Sequence, residues 1–313
     1  MRRAVIDIGT NTVKLLVAEV RDGLVFPIVS KDQTTRLGEG VAATRQLSAA
    51  AIARTVAVIN GYVADAREHA VDSISAITTS AARDARNRQE FLAAVRQQCG
   101  IDVAVLSGQQ EAELIFYGVA SDPRWSTRQL VVLDIGGGSA EIILGQGGKL
   151  KKWASLPLGA VRLTEQFRDR SFAELATHLR TTLRTALADF VDPDCQFVAT
   201  GGATTTLARI ITVGRVTSHG VLESLPTAPA EVSGPTTGTA VDHASLTFEE
   251  VSGLVAHLNA MTLAERRQVP GLPPDRADII VAGGAVLLFA MEALGAQALT
   301  VSTRNLRYGA LLS

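Results

Sequence analysis

Two short stretches of this chain have the residue types and spacing for phosphate chemistry. Val5-Ile6-Asp7-Ile8-Gly9-Thr10-Asn11-Thr12 stands near the start, and Val132-Leu133-Asp134-Ile135-Gly136-Gly137-Gly138-Ser139 repeats its pattern about 127 positions on. Each is an apolar run broken by one Asp, followed by a glycine-bearing turn with a hydroxyl residue and a second apolar run. Backbone N–H groups in such a turn converge into an anion nest, and glycine lets a phosphate come close to the main chain. Thr10, Thr12 and Ser139 add hydroxyls, Asn11 adds an amide, and Gly136, Gly137 and Gly138 supply the open backbone. One such turn reads equally well as a plain hairpin, where Gly and Asn are the default residues. Two turns with an Asp in register point to two phosphate cradles around one acid-lined cleft.

Asp7 and Asp134 interrupt strands that are otherwise apolar. A carboxylate there is expensive unless it is paired or holds a cation, and Mg²⁺ is bound by few carboxylates together with phosphate oxygens and water. The alternative is an Asp that holds the N–H groups of its own turn. Glu141, two residues beyond Ser139, faces either the same cleft or solvent. Ser80 and Arg83 open a helix after a strand ending at Thr79. Helix N-terminal amides attract anions and Arg binds phosphate oxygens in a fork, although Arg86 and Arg88 nearby also fit an ordinary basic surface. Glu111 beside Glu113 reads, by itself, as a solvated helix face.

The elements that must position these residues follow one order twice. Arg3–Ile8, Val13–Val20 and Val25–Val29 read as strands. A helix follows, capped by Ser48 and running to about His69. Ser73–Thr79 is a strand, Ser80–Cys99 a helix, Ile101–Leu106 a strand and Gln109–Gly118 a helix. In the second half Leu130–Ile135, Glu141–Leu144 and Leu150–Ser155 are strands, Phe172–Val191 is a helix, and Phe197–Thr200 is a strand running into Gly201-Gly202 and a helix. Thr247–Met261 and Arg276–Leu294 read as helices, Leu299–Ser302 as a strand and Asn305–Leu312 as a last helix. A repeat this long means two related halves packed together. The Gly-, Pro-, Ser- and Thr-rich stretch between Gly214 and Ala244 reads as a long loop.

Bulk properties narrow the function. The 313 residues are 47% hydrophobic and 19% charged with a net charge of −1, which leaves no general attraction to nucleic acid or other polyanions. Five lysines occur, three of them (Lys149, Lys151 and Lys152) beside one strand; they read as edge protection or as a patch that guides a phosphate-bearing substrate. Two cysteines and five histidines without ligand spacing exclude a zinc site and a disulfide framework, so a reduced, cytoplasmic setting is expected. Trp125 and Trp153 read as packing residues. The longest uncharged apolar run, Ile279 to Met291 apart from its glycines, is too short to span a bilayer, and no signal peptide is expected.

The chain resembles the exopolyphosphatase and guanosine pentaphosphate phosphatase family, within the actin-like ATPase fold superfamily. The resemblance lies in Asp7-Ile8-Gly9-Thr10-Asn11-Thr12, Thr79-Ser80-Ala81-Ala82-Arg83-Asp84-Ala85, Leu106-Ser107-Gly108 with Glu111-Ala112, Asp134 through Ser139, and Gly201-Gly202. It extends weakly through Pro270-Gly271-Leu272, Arg276-Ala277-Asp278 and Ala282-Gly283. It implies an α/β chain of two actin-like (ribonuclease H-like) domains, each a mixed sheet flanked by helices, with a cleft between them. The expected domains are 1–121 and 122–313, the terminal helix packing back on the first. The implied reaction is Mg²⁺-dependent (or other divalent cation) release of terminal orthophosphate from linear polyphosphate. Glu111 is the implied activator of water, Asp134, Glu141 and Asp7 hold the metal, and the turns with Ser80, Arg83, Gly201 and Gly202 hold or line the path of the phosphates.

Guanosine pentaphosphate is the alternative substrate, since both molecules present a terminal phosphoanhydride. An actin-like small-molecule kinase and a non-catalytic polyphosphate or alarmone sensor are the more distant rivals. Three departures from the family pattern stand out. Where relatives carry two acids after the Ser-Gly, Gln109-Gln110 precede a single Glu111 here; Leu306-Arg307-Tyr308-Gly309 carries Tyr where relatives have an acid; and the C-terminal helical domain of longer members has no counterpart. The last points to shorter substrates or to a homodimer that shares the grip.

Overall fold

The computed structural model describes residues 1–192, 194–214 and 241–313. The first half runs β1 (Arg2–Ile8), β2 (Thr12–Arg21), β3 (Leu24–Thr34), α1 (Val41–Thr44), α2 (Ala49–Glu68), β4 (Ser73–Thr78), α3 (Ser80–Asp84), α4 (Arg88–Cys99), β5 (Val103–Val105) and α5 (Gly108–Ala120). The second runs β6 (Gln129–Ile135), β7 (Ala140–Gln146), β8 (Lys149–Leu156), α6 (Ala160–Gln166), α7 (Phe172–Leu187), β9 (Gln196–Gly201) and α8 (Gly202–Gly214). After the undescribed stretch come β10 (Ser245–Thr247), α9 (Phe248–Ala260), α10 (Leu263–Arg266), α11 (Ile280–Leu294), β11 (Ala298–Val301) and α12 (Leu306–Leu312).

The two sheets have one topology. The first is ordered β3-β2-β1-β4-β5, and the second β8-β7-β6-β9-β11 with β10 added at its far edge. In each, the first strand pairs antiparallel with the hairpin strand after it and parallel with the strand before the next helix. Central β1 and β6 are buried on both faces along most of their length, which is why they read as continuous apolar runs rather than alternating ones.

Three apolar clusters hold the molecule together. One packs the first sheet against α2 and α4. Another surrounds α11, whose Ile280 through Met291 is almost wholly buried among α7, α9 and the second sheet. The third lies between the sheets: Val5 and Leu16 from the first, Leu130, Val132 and Ile143 from the second, and Ile115, Phe116, Val119, Leu306 and Leu311 from α5 and α12. The two helices touch backbone to backbone, Gly118 against the Asn305 carbonyl and Gly309 against the Leu114 carbonyl. The terminal helix also packs against β1, β2 and β3.

Several expected elements take a different form. The helix expected over Ser80–Cys99 breaks after Asp84, because Ala85 is extended and the Asn87 side chain bonds both backbone groups of Leu47 at 2.9 and 3.0 Å. The helix expected from Arg276 starts at Ile280, after a 3₁₀ turn over Pro274–Arg276, and that expected to Val191 ends at Leu187 in a 3₁₀ turn. The third strand runs on to Thr34. The sequence reading missed α1, α6, α10 and β10, which are short. Most of the Gly- and Pro-rich stretch expected as a long loop lies outside the described residues. Trp125 is buried as expected, but Trp153 is 37% exposed on edge strand β8, over the start of α5.

Candidate active site

The two glycine turns meet. A Cβ on Gly137 would stand 3.0 Å from Thr10 Cβ and 3.2 Å from the Asn11 nitrogen, and one on Gly138 would overlap the hydroxyls of Ser80 and Thr10. Those two hydroxyls bond each other at 2.9 Å. Only glycine allows the second turn to approach the first this closely.

Each turn has its carbonyls occupied and its amides left over. In the first, Asn11 O accepts from Thr35 and Arg36 N, both at 2.9 Å, and Thr10 O accepts from Gly38 N at 2.9 Å. In the second, Gly136 O accepts from Ala160 N at 3.0 Å, and Gly137 O from Val161 and Arg162 N at 2.8 and 3.1 Å. The N–H groups of Thr10, Asn11, Gly137, Gly138 and Ser139 find no backbone acceptor among the described residues. Donors fixed in a turn with no internal acceptor are an anion nest.

Both nests open on one cleft. Asp7, Thr10, Asn11, Thr12, Ser80, Glu111, Asp134, Gly136, Gly137, Gly138, Ser139, Glu141, Gly201 and Gly202 all line it. Of the predicted site residues, Arg83 alone is not among the lining. It sits behind Glu111, donating from Nη1 to Glu111 Oε2 at 2.7 Å and to Leu106 O at 3.0 Å. Its Nη1 is thus engaged by a carboxylate and a carbonyl.

Glu111 is 6% exposed, so it is no solvated helix residue. Helix α5 begins with a capping box in which Ser107 Oγ accepts from Gln110 N, and Gln110 Oε1 accepts from Ser107 N at 2.9 Å. The glutamine in place of a second acid therefore caps the helix that carries Glu111. Burial pushes the Glu111 carboxyl up to about 7, against the opposing pull of Arg83, while Asp134 and Asp7 add to the rise.

The acids are spread round the cleft. Asp134 stands opposite Glu141 in the β6/β7 register, and burial lifts it to about 6. Burial, with the Glu111 and Asp134 carboxylates, holds Glu141 well above the usual range, although Ser155 Oγ donates to it at 2.7 Å. Asp7 is raised by burial too, but Lys14 and Arg307 oppose that rise. With two cations facing it, Asp7 has the least need of a metal among the three predicted ligands.

The three do not form a tight preassembled cluster. Among the described residues, the group whose ligand atoms converge within 4.8 Å is Asp122, Asp242 and His243, outside the cleft lining. His243, expected as a plain loop residue, there lies 3.1 Å from Asp122 and 3.3 Å from Asp242, and Arg304 is 3.9 Å from Asp122.

Two cleft cations escaped the sequence reading. Lys14 is half-buried opposite Asp7 in the β1/β2 register, the position Glu141 holds opposite Asp134, so the repeat that pointed to Glu141 also marks Lys14. Arg276 lines the cleft, donating to Gly202 O at 3.1 Å and reaching Asp32 at 3.3 Å. It comes from a turn after the undescribed stretch, and only the tertiary fold brings it here. The Lys149, Lys151 and Lys152 group lies on edge strand β8, where Lys151 bonds Gln129 and Gln146 and Lys152 pairs with Asp189. That is edge protection rather than a guiding patch.

Two topologically matched mixed sheets flanked by helices, each sending a hairpin turn to one side of a shared cleft, define an actin-like two-domain α/β protein. The chain belongs to the Ppx/GppA phosphatase family, whose model matches residues 16–313. Exopolyphosphatase 1 of Mycobacterium tuberculosis is 31% identical over 327 residues, covering 100% of this chain and 88% of its own length. Exopolyphosphatase 2 of the same organism is 30% identical over 331 residues, covering 100% and 98%. The PPX-GPPA enzyme of Aquifex aeolicus superposes with a TM-score of 0.77 at 30% identity, covering 100% of this chain and 99% of that one.

Proposed function

We propose that this chain is an exopolyphosphatase that hydrolyses the terminal phosphoanhydride of linear polyphosphate and releases orthophosphate. The observation that carries the reading is the pair of facing turns with occupied carbonyls and unused amides, meeting over a cleft that Glu111 also lines. Relatives named exopolyphosphatases that match along the whole chain support the same substrate.

Phosphoryl transfer to water asks mainly for positioning and charge neutralisation. Thr10, Asn11, Thr12 and Ser80 bind phosphate oxygens from one side, and Gly136, Gly137, Gly138 and Ser139 from the other. Lys14 and Arg276 add positive charge, and Gly201 and Gly202 line the path of the chain. Glu111 orients the attacking water and takes its proton, a role suited to a carboxyl tuned close to neutral pH. Arg83 holds Glu111 in place.

The donor set fits a divalent cation such as Mg²⁺. Half-buried Asp134 and buried Glu141 are oxygen donors whose charges repel one another and Glu111, and a hard cation relieves that repulsion. Asp134 and Glu141 would hold it, with Asp7 as a more distant contributor. The ion would neutralise charge on the phosphate oxygens and the leaving group. Among the described residues no helix is long and apolar enough to cross a membrane, and the cysteines are unpaired. We place the reaction in the cytoplasm.

The test is orthophosphate release from polyphosphate and from guanosine pentaphosphate, measured side by side with Mg²⁺ and with chelator. Metal-dependent release from polyphosphate is expected. Release from guanosine pentaphosphate alone would replace the substrate, and binding of polyphosphate without release from either would replace the enzyme with a sensor.

A further inference from the structure

A smaller recess adjoins the cleft behind Thr10, Ser80 and Gly138, and Arg162 and Glu165 of α6 stand on its wall. Arg162 is 17% exposed and makes two bonds that point in different directions. Its Nε donates to Gly138 O at 2.7 Å, and its Nη2 pairs with Asp84 Oδ2 at 2.5 Å. Gly138 belongs to the second-half turn, whereas Asp84 ends the helix α3 that Ser80 begins.

One guanidinium thus joins the two sides where they meet. Among the described residues the Gly138 carbonyl is the one member of its turn that no backbone amide takes; Gly136 and Gly137 have theirs taken by the start of α6. Arg162 fills that place and carries the bond on to the first half. A planar fork with separate Nε and Nη donors holds a carbonyl and a carboxylate in two fixed directions, which the rotatable point charge of a lysine does not. Beside it, Glu165 Oε1 accepts from Gly40 N at 2.9 Å, a second tie across the same edge.

We propose that Arg162 is a positioning residue: by bridging Gly138 and Asp84 it sets the second phosphate cradle against Ser80, so that closing the cleft also aligns the two cradles. The inference rests on the phosphohydrolase reading for its kinetic consequence, but the brace itself is a property of the closed molecule. Donors on both cradles survive its loss, so substrate binding changes little while the reacting phosphate loses its alignment. Misplacement by about 1 Å is worth roughly 10²-fold in rate.

The experiment compares Arg162→Ala, Arg162→Lys and Asp84→Asn with wild type, in steady-state polyphosphate hydrolysis and in pulsed electron paramagnetic resonance. Spin labels are placed at the exposed positions Gln89 and Asp169, one in each half, in a background with Cys99 and Cys195 replaced by serine or alanine. All three variants should lose kcat, by about 30- to 100-fold for Arg162→Ala, with KM within about threefold. Losses in the Arg162→Ala, Asp84→Asn double variant should be far from additive. Added guanidinium should partly rescue Arg162→Ala and leave Asp84→Asn unchanged. The label distance should broaden and lengthen in Arg162→Ala. If Arg162→Ala does not fold, Asp84→Asn carries the same expectations. Normal kcat in Arg162→Ala and Asp84→Asn, fully additive losses, or an unchanged label distance would each overturn the brace. A wild type without hydrolytic activity would instead remove the phosphohydrolase reading, and the label distances would still decide the brace.

Discussion

Arg83 Nη1 donates to Glu111 Oε2 at 2.7 Å, tying helix α3 to helix α5 behind the cleft. The pair opposes the rise that burial imposes on Glu111, and the balance leaves the carboxyl at about 7. Only the ionised form can accept a proton from water, so kcat/KM should fall as pH drops below about 7. Glu111→Gln should lower kcat by about 10²-fold or more. Arg83→Ala leaves burial unopposed, so the acid limb of the pH–rate profile should move to higher pH. If Arg83 instead gripped substrate, its loss would raise KM and leave that limb where it is. Initial rates over pH 5 to 9 separate the two.

Metal-free protein should lose stability as pH rises. Burial lifts Asp134 from 3.8 to about 6, and Glu141 moves the same way. The folded state therefore holds these protons more tightly than the unfolded chain. The stabilisation is complete below about pH 4 and is lost as pH climbs through about 6. Each tenfold difference in proton affinity between the folded and unfolded chain is worth roughly 1.4 kcal/mol. Mg²⁺ favours the ionised acids, so it should raise the melting temperature more at pH 7.5 than at pH 5. Thermal melts in chelator and in Mg²⁺ across this range check both halves, and Asp134→Asn should flatten the slope. A melting temperature in chelator that rises from pH 4 to 7 would contradict the assignment.

Most of the site was legible because its residues sit inside a local repeat. A strand, a turn and a second strand specify their own geometry, so Asp7, Asp134 and the turn glycines could be placed around a cleft from spacing alone, whereas spacing leaves Glu141 facing either the cleft or solvent. For Arg83, only the packing of α5 against α3 shows that the guanidinium reaches Glu111. Glu111 itself was recognised by resemblance and not by pattern; beside Glu113 its chemistry is invisible until burial separates the two. The break at Ala85–Asn87 was illegible for a similar reason, since helix propensity carries straight through and a tertiary bond to Leu47 overrides it. Arg276 stands in a stretch that resembles the family only weakly and lies far along the chain from both turns, so its place in the cleft is visible only in the tertiary fold.

Gly138→Ala should abolish activity while leaving each half folded. A methyl there would overlap the Thr10 hydroxyl of the opposite turn and the Ser80 hydroxyl at the start of α3. The clash can be relieved by opening the cleft, which drives the cradles apart instead of unfolding either sheet. A kcat/KM loss of 10²-fold or more is expected, with far-ultraviolet circular dichroism unchanged and the melting temperature within a few degrees. Activity close to wild type would mean that the turns do not meet during turnover.

Gly309→Ala and Gly61→Ala make the same chemical change in two helices and should act in opposite directions. In a helix interior, Ala is favoured over Gly by about 0.8–1 kcal/mol. Gly61 lies exposed in α2 with nothing within 4 Å of its missing Cβ, so Gly61→Ala should stabilise by about 0.4–1 kcal/mol. Gly309 lies in α12, where a methyl would overlap the Leu114 carbonyl of α5. That neighbour is helical backbone, which cannot rotate away, so the two helices must part and loosen the cluster between the sheets. Overpacking of this kind costs about 1–3 kcal/mol or more, which outweighs the propensity gain. Denaturant unfolding monitored by circular dichroism should therefore show a raised midpoint for Gly61→Ala and a clearly lowered one for Gly309→Ala. A raised midpoint for both would show that α5 and α12 do not touch where Gly309 stands.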